Sequence, residues 1–271
     1  MTTADLETIA KTIRKHIVEM IGKAGSGHPG GSLSAVELMT ALYFNPHIHF
    51  DPKNPLDPDR DYFVLSKGHV CPVMYAVIAE LGGIECGELC TLRQPGSRLQ
   101  GHPAMDKGLP GIEVSSGSLG YGLSIGAGIA AGLKAAKKKN KVYVLMGDGE
   151  QQEGSIWEAV MAAAHLGLDN LCGIVDCNRL QIDGTVKEIM NIEPLKEKYA
   201  AFGWNVCDIN GHDFNAVNGA YDQFKATRGK PTAILARTVK GKGVSFMENN
   251  VEWHGKAPSP EQVALALKEL A

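Results

Sequence analysis

Two short polar segments each follow a buried apolar stretch, and together they could bind a cation. Gly147-Asp148-Gly149 comes directly after residues 142–146, and Asn178 comes directly after residues 174–177. If both stretches are neighbouring strands, the Asp148 carboxylate and the Asn178 amide oxygen can reach one Mg²⁺ or Ca²⁺ that bridges a diphosphate, because these cations prefer hard oxygen ligands. Either segment alone is more simply interpreted as a turn or a helix cap. The two together favour the cation site.

This pattern resembles the signature of enzymes that depend on thiamine diphosphate, in which Gly-Asp-Gly is followed by Asn at the end of a later strand. Asp148 and Asn178 fit that signature. The resemblance implies thiamine diphosphate as the cofactor, bound through Mg²⁺, with Ca²⁺ and Mn²⁺ as the other candidate metals. It also implies that Leu180 supplies a main-chain carbonyl to the metal and that Gly149 contacts the diphosphate.

Several further motifs narrow the resemblance to the transketolase family, and they occur in the family's order over residues 11–258. They are Ser26-Gly27-His28-Pro29-Gly30, Ser66-Lys67-Gly68-His69, Gly101-His102-Pro103, Ser116-Gly117-Ser118-Leu119-Gly120, Gly147-Asp148-Gly149-Glu150-Gln151-Gln152-Glu153-Gly154 and Trp253-His254-Gly255. Transketolases move a two-carbon ketol unit, held as an enamine on the cofactor, between sugar phosphates. The resemblance implies transfer from a ketose phosphate such as xylulose 5-phosphate to an aldose phosphate such as ribose 5-phosphate.

The same resemblance implies residue roles. Histidine suits proton transfer at sugar oxygens, because imidazole titrates near neutrality. The implied catalytic residues are His28, His102, His254 and Glu153, of which the three histidines also bind substrate and Glu153 belongs to an acidic network between paired active sites. The implied cofactor-binding residues are Lys67, His69, Gly117, Ser118, Leu119, Gly149, Glu150, Asn178, Lys240 and His254. The implied metal ligands are Asp148, Asn178 and Leu180.

Five other histidines match no motif and are interpreted as satisfied polar residues of loops or of the core: His16, His47, His49, His165 and His212. Tyr121 departs from the family, which usually carries Gln after Ser-Leu-Gly. No role is transferred to Tyr121.

The elements that must position these residues alternate between short apolar strands and helices. Strands are predicted over residues 61–66, 141–146, 171–177, 204–209 and 232–237. Helices are predicted over residues 4–22, 34–44, 154–166, 194–202, 214–227 and 259–270, with a glycine-rich loop over residues 25–31. This alternation predicts an α/β fold with a mostly parallel sheet and helices on both faces. Ligands of such sheets bind beyond the carboxyl ends of the strands, where the motifs lie.

Composition and cysteine usage favour a soluble protein of the cytoplasm. The chain has 271 residues, 44% hydrophobic and 21% charged, which suffices for a real core. A net charge of −3 offers no basic field for nucleic acid or for an anionic membrane. Six cysteines without a C-x-x-C pair suit reduced thiols, and neither a signal peptide nor a membrane-spanning run is predicted.

Whole transketolases are much longer, and they add a pyrimidine-binding domain and a carboxyl-terminal domain. Residues 1–271 are therefore expected to form a single diphosphate-binding domain, with the other two domains on a partner chain. The amphipathic pattern over residues 259–270 indicates a finished terminus. The resemblance thus implies the N-terminal subunit of a split transketolase, active only with its C-terminal subunit in a heterotetramer of two plus two chains.

Three alternatives stay open. A split 2-oxo acid dehydrogenase-type subunit shares the diphosphate motif and the two-chain layout, although the histidine motifs argue against it. A specialised transketolase could use another sugar, because much of the sugar selection lies outside this chain. A non-catalytic cofactor-binding subunit belongs to a different class, and the presence of His28, His69, His102 and His254 argues against it.

Overall fold

A parallel sheet forms the centre of the computed structural model, which describes all of residues 1–271. The strands are β1 (Tyr62–Leu65), β2 (Val142–Gly147), β3 (Leu171–Cys177), β4 (Leu180–Gln181), β5 (Gly184–Thr185), β6 (Asn205–Asn210) and β7 (Thr232–Arg237). Five of them pair in the order β1-β2-β3-β7-β6, all parallel, while β4 and β5 form a small antiparallel hairpin. The carboxyl ends of β1, β2, β3 and β7 therefore meet at one edge.

Helices cover both faces of this sheet. They are α1 (Thr3–Ala24), α2 (Pro29–Ser34), α3 (Val36–Phe44), α4 (Cys71–Glu80), α5 (Tyr121–Ala135), α6 (Gly154–His165), α7 (Val186–Met190), α8 (Leu195–Ala201), α9 (Phe214–Ala226) and α10 (Pro260–Glu269). Short 3₁₀ turns occur at Gly68–Val70, Cys86–Thr91, Met105–Lys107, Gly149–Gln152 and Val251–His254. The predicted α/β class is confirmed. No helix has both the length and the apolar character needed to cross a membrane.

Alternate side chains of the strands enter two separate apolar cores. Tyr143 and Leu145 of β2 join the core formed with α1, α3, α4 and α9. Val144 and Met146 of the same strand join the core formed with α5, α6 and α8. Strand β3 is buried along its whole length, as expected for a central strand of a parallel sheet. Its one charged residue, Asp176, belongs to the functional site.

Helix α1 precedes the segment that enters the functional site. Thr2 and Asp5 form a reciprocal capping box at the start of α1, so two otherwise unpaired backbone N–H groups are satisfied. The helix ends at Gly25, whose φ of 61° lies in the left-handed region that glycine adopts without a steric penalty. The segment that follows carries His28.

The sequence predicts some of these bounds and misses others. Strands β3 and β7 have the predicted bounds. The prediction of a loop through residue 31 is wrong, because Pro29 opens α2, where its fixed φ suits the first helical turn. The single helix predicted over residues 34–44 is interrupted at Ala35, whose φ of −91° and ψ of 1° separate α2 from α3. Helices α4 and α7 and the β4–β5 hairpin are not predicted.

Candidate active site

A cavity of about 430 Å³ lies at the carboxyl ends of the strands, where ligands of parallel sheets bind. The predicted site residues that line it are His28, Lys67, His69, Gly117, Leu119, Asp148, Gly149, Glu150, Glu153, Asn178, Leu180, Lys240 and His254. His102 and Ser118 instead line a neighbouring cavity of about 480 Å³, which shares Gly117 with the first. The loops that follow several strands therefore bring the predicted set to one place.

Asp148 presents a buried carboxylate at the end of β2. Its Oδ1 accepts a hydrogen bond from Gly149 N at 2.8 Å, and its Oδ2 accepts one from Arg179 N at 2.5 Å. Burial, reinforced by repulsion from Asp176, raises the pKa of Asp148 to about 6. No lysine or arginine forms an ion pair with this carboxylate. A bound cation would offset the cost of its negative charge.

Asn178 and Leu180 add two further oxygens on the next loop. Asn178 donates from Nδ2 to Asp176 Oδ2 at 3.1 Å, and its Oδ1 accepts from Leu180 N at 3.2 Å. The contact with Asp176 fixes which end of the amide is oxygen, because a carboxylate can only accept. Leu180 lines the same cavity, and its carbonyl oxygen accepts a hydrogen bond from Lys240 Nζ at 2.9 Å. Carboxylate, amide and carbonyl oxygens are the donor set that Mg²⁺, Ca²⁺ and Mn²⁺ prefer, so these residues fit the implied metal.

Asp176, which the sequence analysis does not single out, organises the floor of the cavity. The residue is fully buried, and it accepts hydrogen bonds from Ser34 Oγ at 2.5 Å and from Thr238 Oγ1. It also forms an ion pair with Lys67, whose Nζ lies 2.5 Å from Asp176 Oδ2. The predicted cofactor lysine Lys67 is thus already neutralised by a carboxylate of its own chain. Through Asn178, Asp176 also orients one of the predicted metal ligands.

The second predicted lysine, Lys240, has different partners. Its Nζ donates to the carbonyl of Leu180 at 2.9 Å and lies 2.8 Å from Nδ1 of His254. The side chain is 2% exposed and has no carboxylate partner within ion-pair distance. Burial, with repulsion from Lys67, lowers the pKa of Lys240 to about 8. Because Lys240 is still mostly an ammonium near neutrality, it donates, and the neutral ring of His254 then carries its proton on Nε2.

Glu150 and the neighbouring glycines shape the loop after β2. Glu150 is buried, and its carboxylate accepts from Ser66 Oγ, from Gly120 N at 2.8 Å and from Gly147 N at 3.0 Å. These bonds join three loops around the cavity. A Cβ added at Gly149 would lie 2.8 Å from Oε1 of Gln181, so this loop packs closely against the side chain of Gln181 in the β4–β5 hairpin.

Four histidines form a cluster above this floor. Ring centroids of His28 lie 5.1 Å from His69, 5.6 Å from His254 and 6.5 Å from His102, and His69 stacks on His254 at 5.3 Å. Burial is the main cause that lowers the pKa of every ring, to about 4 for His28 and about 3 for His254. The cations Arg93, Lys67 and Lys240 add to this effect. All four imidazoles are therefore neutral at neutral pH.

Glu153 differs from these buried groups. It is exposed at the start of α6, and its carboxylate makes no hydrogen bond within the chain. Leu119 and Ser118 are exposed as well. These residues lie at the open side of the site.

The histidines without a motif mostly have the structural roles that the sequence predicts. His16 bonds to Glu80 at 2.8 Å and His47 to Asn218 at 2.9 Å. His212 bonds to Glu37 at 2.9 Å and accepts from the backbone N–H of Val239 at 2.8 Å. None of the five lines the site cavity.

At the carboxyl ends of the strands, a set of oxygen donors lies beside buried cations. This arrangement suits a phosphorylated cofactor held through a metal. The chain belongs to the transketolase family: the family described as transketolase, thiamine diphosphate binding domain, matches residues 6–271. The predicted family, fold and enzyme class, a thiamine-diphosphate-dependent transferase of transketolase type, are thereby confirmed.

Two relatives of similar length carry transketolase names. The chain is 43% identical over 271 residues to an apulose-4-phosphate transketolase subunit of Phocaeicola vulgatus, covering 100% of this chain and 95% of the relative. It is 44% identical over 266 residues to the 6-deoxy-6-sulfo-D-fructose transketolase subunit SqwG of a Clostridium species, covering 98% and 96%. Among solved structures, the transketolase of Campylobacter jejuni superposes with a TM-score of 0.93 at 33% identity, covering 100% of this chain and 43% of that one.

Proposed function

We propose that this chain is the diphosphate-binding subunit of a two-chain transketolase. With its partner it transfers a two-carbon ketol unit from a ketose that bears an anionic group to an aldose phosphate. The observation that carries the proposal is that Asp148, Asn178 and Leu180 line one cavity together with His28, His69 and His254. Residues 1–271 then act as one diphosphate-binding domain.

The metal and the diphosphate bind at the floor of the cavity. Asp148, Asn178 and Leu180 hold Mg²⁺, with Ca²⁺ or Mn²⁺ as substitutes, and Lys240 offsets the charge of the diphosphate. The Gly149 loop allows close approach of the backbone. When bound, thiamine diphosphate supplies a carbon nucleophile that can cleave the bond beside a ketose carbonyl.

The histidines provide the polar contacts to the sugar. His28 and His254 face the reacting carbonyl and hydroxyl groups, and His102, in the neighbouring cavity, binds a substrate hydroxyl. His69 contacts the cofactor beside His254. Because all four rings are neutral, each has one N–H group that can donate a hydrogen bond to an oxygen that becomes negatively charged.

The choice of sugar is a separate part of the proposal. Transfer from xylulose 5-phosphate to ribose 5-phosphate is the starting expectation. The two relatives of similar length are instead named for apulose 4-phosphate and for a sulfonated fructose. Both names contain an anionic substituent, so ketoses with a phosphate or sulfonate group form the donor class to test.

A partner chain is expected to close the open side of the site. The apolar rim, as we call it, consists of exposed side chains that line the two cavities: Leu119, Tyr121, Ile125, Ile182 and Ile189. Tyr121 is 60% and Ile182 69% exposed. Exposed apolar groups gathered around a binding site are typical of a protein interface. A C-terminal transketolase subunit is the partner that the names of the relatives support.

Two chains of each kind form the proposed heterotetramer. In it the unpaired carboxylate of Glu153 takes part in the acidic network between sites. All six cysteines are free thiols, which is consistent with the reducing cytoplasm.

The test begins with the tagged chain purified gently from its own cells together with whatever accompanies it. We expect ketol transfer with thiamine diphosphate and Mg²⁺ that disappears when the co-purifying chain is removed and returns when it is added back. Donors of the anionic class are compared side by side. His165→Ala, which changes an exposed histidine outside the site, is the matched control for His254→Ala. Oxidation of pyruvate without transfer to an aldose, or full activity of the isolated chain, would contradict the proposal.

A further inference from the structure

Arg93 lies beside the histidine cluster although it belongs to none of the motifs. Its Nη1 donates to Ser26 Oγ at 2.9 Å, and its Nη2 lies 3.4 Å from both Nδ1 of His28 and the carbonyl oxygen of Gly101. The backbone of Arg93 has a φ of 59°, in the left-handed region that residues with a side chain rarely adopt. Such a conformation is kept only where the surrounding structure enforces it.

The neighbouring loop is shaped to admit this guanidinium. A Cβ added at Gly101 would lie 2.8 Å from Cζ and 2.9 Å from Nε of Arg93. A side chain at this position would push the guanidinium, the mobile end of Arg93, out of place, so glycine at position 101 preserves the contact of Arg93 with His28. The guanidinium is thereby held against the ring of His28.

The direction of the hydrogen bond fixes the proton on His28. A guanidinium has five donors and no acceptor, so the ring atom that faces Arg93 must present a lone pair. Neutral imidazole carries one proton, which is then on Nε2. We propose that Arg93 is a positioning residue that fixes His28 in the Nε2–H tautomer, so that His28 meets the sugar oxygen as a neutral hydrogen-bond donor. The role of His28 at the sugar rests on the proposed function, whereas the tautomer does not.

The groups that surround His28 act in the same direction. Those that face it are Arg93, His69, His102, His254 and Lys240, and no carboxylate contacts the ring. Burial is the main cause that lowers the pKa of His28 to about 4, and Arg93 is the largest of the charged contributors. On the other edge of the ring, Nε2 would lie 3.6 Å from a Cβ added at Gly255, so no side chain covers it there.

The contact with Arg93 limits what His28 can do at the sugar. With Nδ1 facing Arg93 and Nε2 already protonated, His28 has no free lone pair with which to remove a proton from the sugar. It can stabilise an oxygen that gains negative charge, but it cannot act as a general base while the Arg93 contact is kept. Proton removal must therefore fall to another group of the assembled site.

The first experiment reads the tautomer directly and needs no activity. The chain is labelled with ¹⁵N-histidine, assembled with its partner, and studied by long-range ¹H–¹⁵N correlation, with His28→Gln to assign the signals. We expect the Nε2–H pattern in the native chain and in Arg93→Lys, and a mixture of tautomers in Arg93→Met. Arg98→Met is the matched control, because Arg98 pairs with Glu88 on the surface. An Nδ1–H pattern in the native chain, or an unchanged pattern in Arg93→Met, would overturn the inference.

The second experiment follows the ¹⁵N signals of His28 against pH in the two-chain complex. Removing the cation raises the pKa of His28 from about 4 towards its ordinary 6.5, so the neutral fraction of His28 at pH 5 falls by at most about 30-fold. We expect a partial shift, because burial remains. Gly101→Ala, which displaces the guanidinium, should reproduce the shift, and Arg98→Met should not. A His28 titration unmoved in both Arg93→Met and Gly101→Ala refutes the role, whereas a complex without ketol transfer but with the expected tautomer refutes only the proposed function.

Discussion

Replacement of Asp176 by Asn tests whether the buried carboxylate supports the floor of the site. The change keeps the shape of the side chain but removes the charge that neutralises Lys67, whose side chain is 2% exposed. Breaking a buried ion pair by removing one partner costs about 3–5 kcal/mol, because the remaining charge stays buried without a counter-charge. The free energy of unfolding of Asp176→Asn should fall by that amount. The Asn178 amide, which donates to Asp176, should lose its fixed orientation.

Urea unfolding followed by tryptophan fluorescence measures this loss, and calorimetry measures binding of thiamine diphosphate with Mg²⁺. The matched control is Asp208→Asn, which breaks a partly exposed pair with Arg237 and should cost about 1 kcal/mol or less. The double variant Asp176→Leu with Lys67→Met should recover only part of the stability, since it removes both charges but leaves the donors of Ser34, Thr238 and Asn178 without this acceptor, and it should not recover the cofactor affinity. A loss in Asp176→Asn no larger than in Asp208→Asn would refute the reasoning.

The buried ion pair between Asp176 and Lys67 also determines how the stability of the fold changes with pH. Burial alone would raise the pKa of Asp176, but the charge of Lys67 and the hydrogen bonds from Lys67, Ser34 and Thr238 outweigh it and hold the pKa below 3.8. The stabilisation is therefore present above about pH 4 and is lost as the pH falls through the native pKa. Acid titration of Asp176→Asn should lack this component.

Three further outcomes are expected. His254→Ala should lower ketol transfer by the assembled complex by about 10²–10⁴-fold, the range for a lost proton-transfer or donor group, in a steady-state assay in which His165→Ala stays near the native rate. Asp148→Asn should weaken Mg²⁺-dependent cofactor binding by at least about 100-fold in calorimetry, and undiminished binding would contradict its assignment as a ligand. Glu37→Gln should flatten the loss of stability below about pH 4.5 in urea titrations, because burial would raise the pKa of Glu37 but His212 and Arg14 hold it below 4.5.

The parts of the fold that the sequence predicts are those with a clear local pattern. Strands β3 and β7 are short apolar runs between polar segments, and their bounds agree with the prediction. Helix α4 is not predicted from the sequence, because nine of its ten residues are buried. A helix covered on every side has no polar face, so it lacks the amphipathic period by which helices are recognised.

The site residues likewise divide into those that a local sequence pattern predicts and those that it does not. Motifs with glycine and histidine lead to residues that do line the cavity, because these residue types occur in loops after strands. Asp176 lies inside an apolar strand, where the sequence suggests only a tolerated polar residue. Arg93 reaches His28 through a left-handed backbone and a space left by Gly101. Neither arrangement has a signal in local spacing, since both depend on contacts between distant segments.

The two buried lysines show why the floor of the cavity suits an anion. Lys67 and Lys240 are each 2% exposed, yet only Lys67 has a carboxylate partner, so its charge is already balanced by Asp176. Lys240 donates only to a carbonyl and to an imidazole, which do not cancel its charge. A buried cation without a counter-charge is unfavourable, and an arriving diphosphate relieves that cost at Lys240 but not at Lys67. Lys240 should therefore govern affinity for the diphosphate, whereas Lys67 should govern stability.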